Sequence, residues 1–297
     1  MNTFIQQLVN ALSYGSLLGF IALGYTMVYG ILKLINFAHG HLVTLAIFLI
    51  ISLLSKFASH SPTTLLLVTV ISIILVIIAG IMVELFAYRP LRKAPRLSLI
   101  VSALGAAMII QNAIMLIWGA DPKIFPDLTI LDGNYNINGI VISHLNLAIL
   151  GLNVLVMIAL YIFINKTRTG IAIKALSIDY TTAQLMGVNV NRIIILVFII
   201  GALLGSVGGV LIGATYKTVS FNMGFNYGLK AFIAAIIGGI GSIPGAMLGG
   251  LVIGIAQTLS TGYISSTWGD VFTYSFLILI LIIKPSGLFS EKKAEKV

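Results

Sequence analysis

The residues able to do chemistry are few, and their spacing suits little of it. No Gly-x-x-x-x-Gly-Lys-[Ser/Thr] loop occurs, so the chain carries no phosphate-cradling nucleotide site of that kind. The nearest approach to a dinucleotide fingerprint is Gly239-Ile240-Gly241-Ser242-Ile243-Pro244. It has proline where the third glycine belongs and lies between apolar segments rather than after a strand. His60 and His144 stand alone, while His39 and His41, two apart, fall on opposite sides of a helix and make a poor metal pair. The chain has no cysteine, which removes thiolate metal sites and thiol chemistry. Glu84 is the one acid toward the interior of an apolar segment, and the basic stretch Arg89 to Arg96 beside it makes it a helix-end partner rather than a proton site. No nucleophile–histidine–carboxylate set can be assembled. No catalytic residue and no metal ligand is expected, and no cofactor within this chain.

What remains is a group of polar and glycine residues inside apolar sequence: Asn36, Phe37, His39 and Gly40 in one place, Gly239, Gly241 and Ser242 in another. Polar, glycine-rich backbone at membrane depth is tolerated where it is buried in protein or lines a wet cavity. These residues are therefore the expected substrate pathway.

The elements that must hold them follow from composition. Of 297 residues, 59% are apolar and 8% charged, against about 45–50% and about 25% in soluble domains. Too little charge remains to coat a water-facing surface, so a soluble enzyme, a disordered chain and a fibrous repeat are excluded. Uncharged runs such as 1–32, 57–83 and 133–165 are long enough to cross a bilayer as helix. They lack the roughly ten-residue alternation of a membrane barrel. The first charge is Lys33, so the N-terminal run is not a cleavable signal. The reading is an all-α, polytopic transmembrane bundle forming one domain over 1–297, with segments near 5–31, 42–55, 63–86, 97–118, 145–164, 193–214, 228–238, 244–262 and 271–284.

Net charge is +9, and topology accounts for it without nucleic acid. Basic residues belong in cytoplasmic loops. With the C-terminus inside, alternating segments place Lys33, Arg89–Arg96, the loop 166–192, Lys284 and the tail 285–297 on the inner face, holding 13 of the 17 basic residues. Lys56, Lys123, Lys217 and Lys230 stay outside. The first four and last four segments then run in opposite directions, with the fifth as linker. Two segments, 42–55 and 228–238, are too short to span comfortably. Interrupted helices at matching places in inverted halves point to a transport pathway; ordinary short helices with wet ends account for the same pattern. Nearly acid-free segments argue against an ion-coupled carrier.

Gly201, Gly205, Gly209 and Gly213 recur every fourth residue and share one helix face, a flat groove for close helix approach. Packing within the chain and packing against another subunit both fit. In the loop 166–192, residues 171–186 are expected to form one amphipathic helix stopped by Gly187. It holds few basic residues for a lipid surface, so docking into a protein is the better reading.

Several stretches carry a resemblance. Ile21-Ala22-Leu23-Gly24-Tyr25-Thr26-Met27-Val28-Tyr29-Gly30-Ile31, Ile35-Asn36-Phe37-Ala38-His39-Gly40, Tyr88-Arg89-Pro90-Leu91-Arg92, Leu185-Met186-Gly187-Val188-Asn189, the run from Gly228 to Gly250, and Lys284-Pro285-Ser286-Gly287-Leu288 resemble the permease subunit of branched-chain amino-acid ABC importers, the LivH type. The resemblance implies a bacterial cytoplasmic-membrane protein that carries Leu, Ile and Val by alternating access. It implies a second permease (LivM type), two ATPases (LivG and LivF types) that bind ATP and Mg, and an extracytoplasmic solute-binding protein. It also implies a docking segment on which Asp179, Ala183 and Gly187 fall, although Ile178 stands where the family often has glutamate. A related permease for urea, short amides or a sugar is the alternative, as is a passive channel or secondary carrier.

Overall fold

The computed structural model describes residues 2–57, 61–127, 133–284 and 287–288. His60, Asp132, Pro285, Ser286 and nearly all of the expected 285–297 tail lie outside the described residues. Among the described residues, nine apolar helices carry the fold: α1 (Asn2–Leu32), α2 (Ala38–Leu54), α3 (Pro62–Met82), α4 (Arg96–Trp118), α5 (His144–Lys166), α8 (Val190–Tyr216), α9 (Met223–Gly238), α10 (Ile243–Tyr263) and α11 (Gly269–Ile283). Six are long and apolar enough to cross a membrane; α2, α9 and α11 are shorter. Two short helices, α6 (Arg168–Ile178) and α7 (Tyr180–Leu185), form a hairpin between α5 and α8.

The outer loop after α4 carries strands that the sequence pattern does not announce. β2 (Asn134–Ile137) pairs antiparallel with β3 (Ile140–Ser143), and β1 (Lys123–Ile124) pairs with β4 (Thr218–Val219). The second pairing clips the α4–α5 loop to the α8–α9 connection. Lys217 extends the clip to Asp127 at 2.6 Å; its hydrogen bond and charge hold that exposed carboxyl below the usual range.

α1 is the central helix. Leu17, Leu18, Phe20, Ile21, Ala22 and Leu23 are fully buried on all sides of it, as expected of a helix apolar all round. It packs against α10, α8, α9 and α5, and α8 in turn packs against α2 and α3. Exchanging α1 with α8, α2 with α9 and α3 with α10 preserves this pattern. The α1–α10 contact answers to α8–α3, α1–α9 to α8–α2, and α2–α3 to α9–α10.

The relation extends to residues. Lys33-Leu34-Ile35-Asn36-Phe37-Ala38-His39-Gly40 shares the spacing of its Lys, Phe and Gly with Lys217-Thr218-Val219-Ser220-Phe221-Asn222-Met223-Gly224, with Ile35 and Asn36 answering to Val219 and Ser220. Lys33 and Lys217 both have positive φ, 53° and 60°, which is uncommon outside glycine. In each half a long helix ends at this lysine, the chain turns back in extended form, and a short helix begins.

Three boundaries differ from the sequence reading. α2 begins at Ala38 and α9 at Met223, rather than at 42 and 228, because the polar stretches before them are already helical and packed. The single helix expected over 171–186 is two. Asp179, extended at φ −148°, accepts the Thr181 and Thr182 N–H groups at 2.9 and 3.2 Å and the Thr182 hydroxyl at 2.6 Å. That caps a new helix and breaks the old one.

Candidate functional site

The two matched turns bring the starts of α2 and α9 together. A Cβ on Gly40 would stand 2.2 Å from the Gly224 carbonyl oxygen, and one on Gly224 would stand 2.5 Å from the Gly40 carbonyl oxygen. The contact is reciprocal, as a crossing on the axis between two inverted repeats must be. Neither helix has a side-chain cap at its start. Thr44, one turn into α2, sits beside Gly224, and its hydroxyl is buried without a hydrogen-bond partner.

A small cleft lies at this crossing, lined by Tyr25, Ile35, Phe37, Gly224, Phe225, Leu229 and Phe232. The lining is aromatic and aliphatic, with the Tyr25 hydroxyl as its polar end.

Of the residues expected on the path, Phe37 lines the cleft, and Gly40 packs against Gly224, which lines it too. Asn36 is buried behind it, where the Tyr88 hydroxyl donates to the Ile35 carbonyl at 3.0 Å and approaches Asn36 Oδ1 at 3.5 Å. His39 turns away, wedged between Gly24 of α1 and Gly205 of α8. Its Nε2 lies 3.2 Å from the Ile21 carbonyl; since a carbonyl only accepts, the proton is on Nε2. Its ring meets the Tyr25 ring edge-on at 4.6 Å. His39 therefore sets Tyr25 from behind.

Gly239, Gly241 and Ser242 are not brought to this cleft. They form the tight turn between α9 and α10, with φ of 94° and 101° at the two glycines. Ser242 caps α10 by accepting the Gly245 N–H at 3.2 Å. Leu288 lies over the turn and donates its N–H to the Ile237 carbonyl at 2.7 Å. The glycines supply backbone conformation, and a side chain on Gly241 would meet open space. The series in α8 packs within the chain: Gly201 against Val28, Gly205 against His39, Gly209 against the Val43 carbonyl and Gly213 against the Phe125 ring.

The second functional surface is the α6–α7 hairpin. α6 is held on α5 by close approach, a Cβ on Gly170 standing 2.2 Å from the Phe163 carbonyl oxygen. α7 ends in a Schellman motif: Val188 N–H bonds the Ala183 carbonyl, Gly187 N–H bonds the Gln184 carbonyl, and Gly187 takes φ +85°. Ala183, expected at the centre of a partner contact, is instead buried inside the hairpin at 3% exposure. A small residue is needed there because α7 folds back onto α6 and α8. The side chains turned outward are Ile178, Leu185 and Met186, each more than 80% exposed.

A buried ion pair joins this region to the membrane helices. Glu84, in a π-helical turn at the end of α3, is fully buried and paired with Arg92. Arg92 also donates to Asn191 Oδ1 at 2.6 Å, in the first turn of α8 just past the hairpin. Sequence alone indicates the Glu84 partner, but not this bridge to α8.

The fold is shared with two solved structures. The chain superposes on PsaBC from Streptococcus pneumoniae with a TM-score of 0.52 and 14% identity, covering 93% of this chain and 91% of that one. An inward-facing metal-chelate type ABC transporter superposes at 0.50 and 17% identity, covering 94% and 87%. Sequence narrows the class further. Residues 7–281 match the family described as branched-chain amino acid transport system / permease component. The high-affinity branched-chain amino acid transport system permease protein BraD of Pseudomonas aeruginosa is 42% identical over 99% of this chain and 98% of its own length. The corresponding LivH of Escherichia coli K12 is 39% identical over 99% and 98%. The chain belongs to this permease family and is a multi-pass membrane protein.

Proposed function

We propose that the chain is the permease subunit of an ABC importer for Leu, Ile and Val, and that solute passes the cleft at the α2–α9 crossing. Relatives named for that transport support the substrate class, and the aliphatic and aromatic lining supports it independently. The chain works with a second permease, with two ATPases that bind ATP and Mg, and with an extracytoplasmic binding protein. ATP hydrolysis belongs to those partners.

The observation that carries the coupling role is the outward-facing Ile178, Leu185 and Met186 on a rigid, capped hairpin. Apolar side chains on the inner face, beyond the lipid, fit a groove on another protein. ATPase closure presses on this hairpin, which continues directly into α8. The Arg92 bridge carries α8 movement to the end of α3. α2 packs on α8 and crosses α9 through glycine backbone, a contact with no side chain to interlock, so the crossing slides and the cleft opens to alternate sides. The hairpin and C-terminus lie on the cytoplasmic side in this reading.

The test is purification through a tag with the partner genes co-expressed, and leucine uptake in reconstituted vesicles. ATPases that co-purify with the wild type and are lost in Leu185→Glu, together with loss of uptake, are the expected result. A wild-type chain that carries leucine without ATPases refutes the reading.

A further inference from the structure

A second cleft, of about 450 Å³, opens between the outer ends of α1, α8, α9 and α10. That volume falls within the 300–1,000 Å³ range of small-molecule sites, roughly speaking. Unlike the crossing, its walls are polar: Gln7, Asn10, Tyr14, Tyr216, Tyr227 and Gln257 turn into it. Behind Gln257 lies an ion pair, Lys230 Nζ to Asp270 Oδ1 at 2.6 Å, with the lysine side chain 12% exposed. Gln257 joins the pair to the cleft wall. Its Nε2 donates to Asp270 Oδ1 at 2.8 Å, and its Oε1 accepts the Thr273 hydroxyl at 2.7 Å.

The internal repeat shows that packing does not demand this polarity. Counting from Lys33 and Lys217, the positions matching Tyr216, Tyr227 and Lys230 are Leu32, Val43 and Ala46, and the position matching Tyr14 is Phe198. Val43, Ala46 and Phe198 are buried and apolar. At these four positions the other half therefore uses apolar side chains, although Gln7 is matched by the polar Asn191. The lysine is withdrawn from water while the Asp270 carboxylate is half exposed, 12% against 54%, and an ionisable side chain buried in a helical membrane protein marks function by default.

We propose that this outer cleft is a recognition site for the zwitterionic head of an α-amino acid. The inference rests on the importer reading above and adds a site to it. Lys230 takes the carboxylate and Asp270 the ammonium, so one neutral ion pair is exchanged for two, with no net charge brought into the protein. The tyrosine hydroxyls and Gln257 replace the water that the head group loses. The apolar side chain points away toward the aromatic cleft at the crossing, whose wall shares α9 with this one. The site would receive the amino acid from the outer side and hold it head-first.

The test uses the purified permease–ATPase assembly in nanodiscs, without binding protein, and radiolabelled leucine. The wild type should bind leucine, while leucinamide and N-acetylleucine, each lacking one charge, compete at least roughly tenfold less well, the loss of one charge-assisted hydrogen bond. Lys230→Met and Asp270→Leu should each weaken leucine binding by a similar factor and lose thermal stability, because each strands a charge. The double variant Lys230→Met/Asp270→Leu decides between roles: it should regain stability without regaining leucine binding. A double variant that binds leucine like the wild type shows the pair to be a structural strut and overturns the proposal. An assembly that forms and transports leucine but shows no preference for the zwitterion overturns it too, and leaves the importer reading standing. Absence of ATPases from the wild-type preparation overturns the importer reading instead, and the site proposal with it.

Discussion

Replacing Gly40 by alanine tests the crossing with a single methyl group. The added Cβ would stand 2.2 Å from the Gly224 carbonyl oxygen and 2.9 Å from Gly228 Cα, both backbone atoms that cannot rotate aside. Restoring a tolerable 3.0–3.4 Å requires the starts of α2 and α9 to part by about 1 Å, the kind of overpacking that costs about 1–3 kcal/mol. The same exchange at Gly105 or Gly151, where nothing lies within 4 Å, should be neutral or stabilising by about 0.4–1 kcal/mol through helix propensity and unfolded-state entropy. The measurement is thermal unfolding of the detergent-solubilised protein followed by size-exclusion fluorescence, with leucine uptake beside it. Gly40→Ala should melt earlier than wild type and transport poorly, and Gly105→Ala should do neither. Gly224→Ala fills the same gap, so the double variant should cost less than the sum of the singles, since one separation serves both methyl groups. A Gly40→Ala protein that melts and transports like wild type would mean that α2 and α9 do not meet there.

On the hairpin, Leu185→Glu should spare stability and release the ATPases. Ala183→Glu should instead destabilise the hairpin by several kcal/mol, as an unpaired buried charge does; melting curves separate the two. Gly187→Val should cost about 1–2 kcal/mol from left-handed backbone strain alone, read as a lower melting point, because no atom blocks the side chain. Glu84→Gln should cost about 3–5 kcal/mol by stranding Arg92, and Glu84→Leu with Arg92→Met should recover most of it in the same assay. Because the chain has no cysteine, single cysteines report topology: in intact cells an impermeant maleimide should label Tyr135→Cys and leave Ile178→Cys unmodified.

The membrane helices were legible because lipid imposes length and apolarity on each of them, and the basic loops gave their order. The Gly187 stop was legible for a similar reason, since few residues tolerate its conformation. The break at Asp179 was not, because an aspartate inside a helical pattern serves equally as exposed surface or as a cap. Ala183 illustrates the same ambiguity: a small residue signals close approach but not which neighbour approaches. The Gly239–Ser242 turn drew attention by its glycines, although what they supply is a backbone turn under Leu288. The crossing did leave a trace, the spacing of Lys, Phe and Gly shared by 33–40 and 217–224. It is a faint trace, because only three of the eight matched positions are identical and two more are similar.

That shared segment makes the chain two interconvertible shapes of one motif. In a strictly symmetric inverted pair, swapping the conformations of the two halves turns a structure open on one side into its mirror, open on the other, at identical energy. Such a molecule has no resting preference. Every departure from symmetry then acts as a weight on one pan: Lys230 with Asp270 stands where the first half has Ala46, and Glu84 with Arg92 adds its own term. Each difference of about 1.4 kcal/mol between the two shapes shifts their ratio tenfold. The resting orientation of the permease is thus written in the few positions where its halves disagree, and substitutions there should retune which side stands open without touching the path itself.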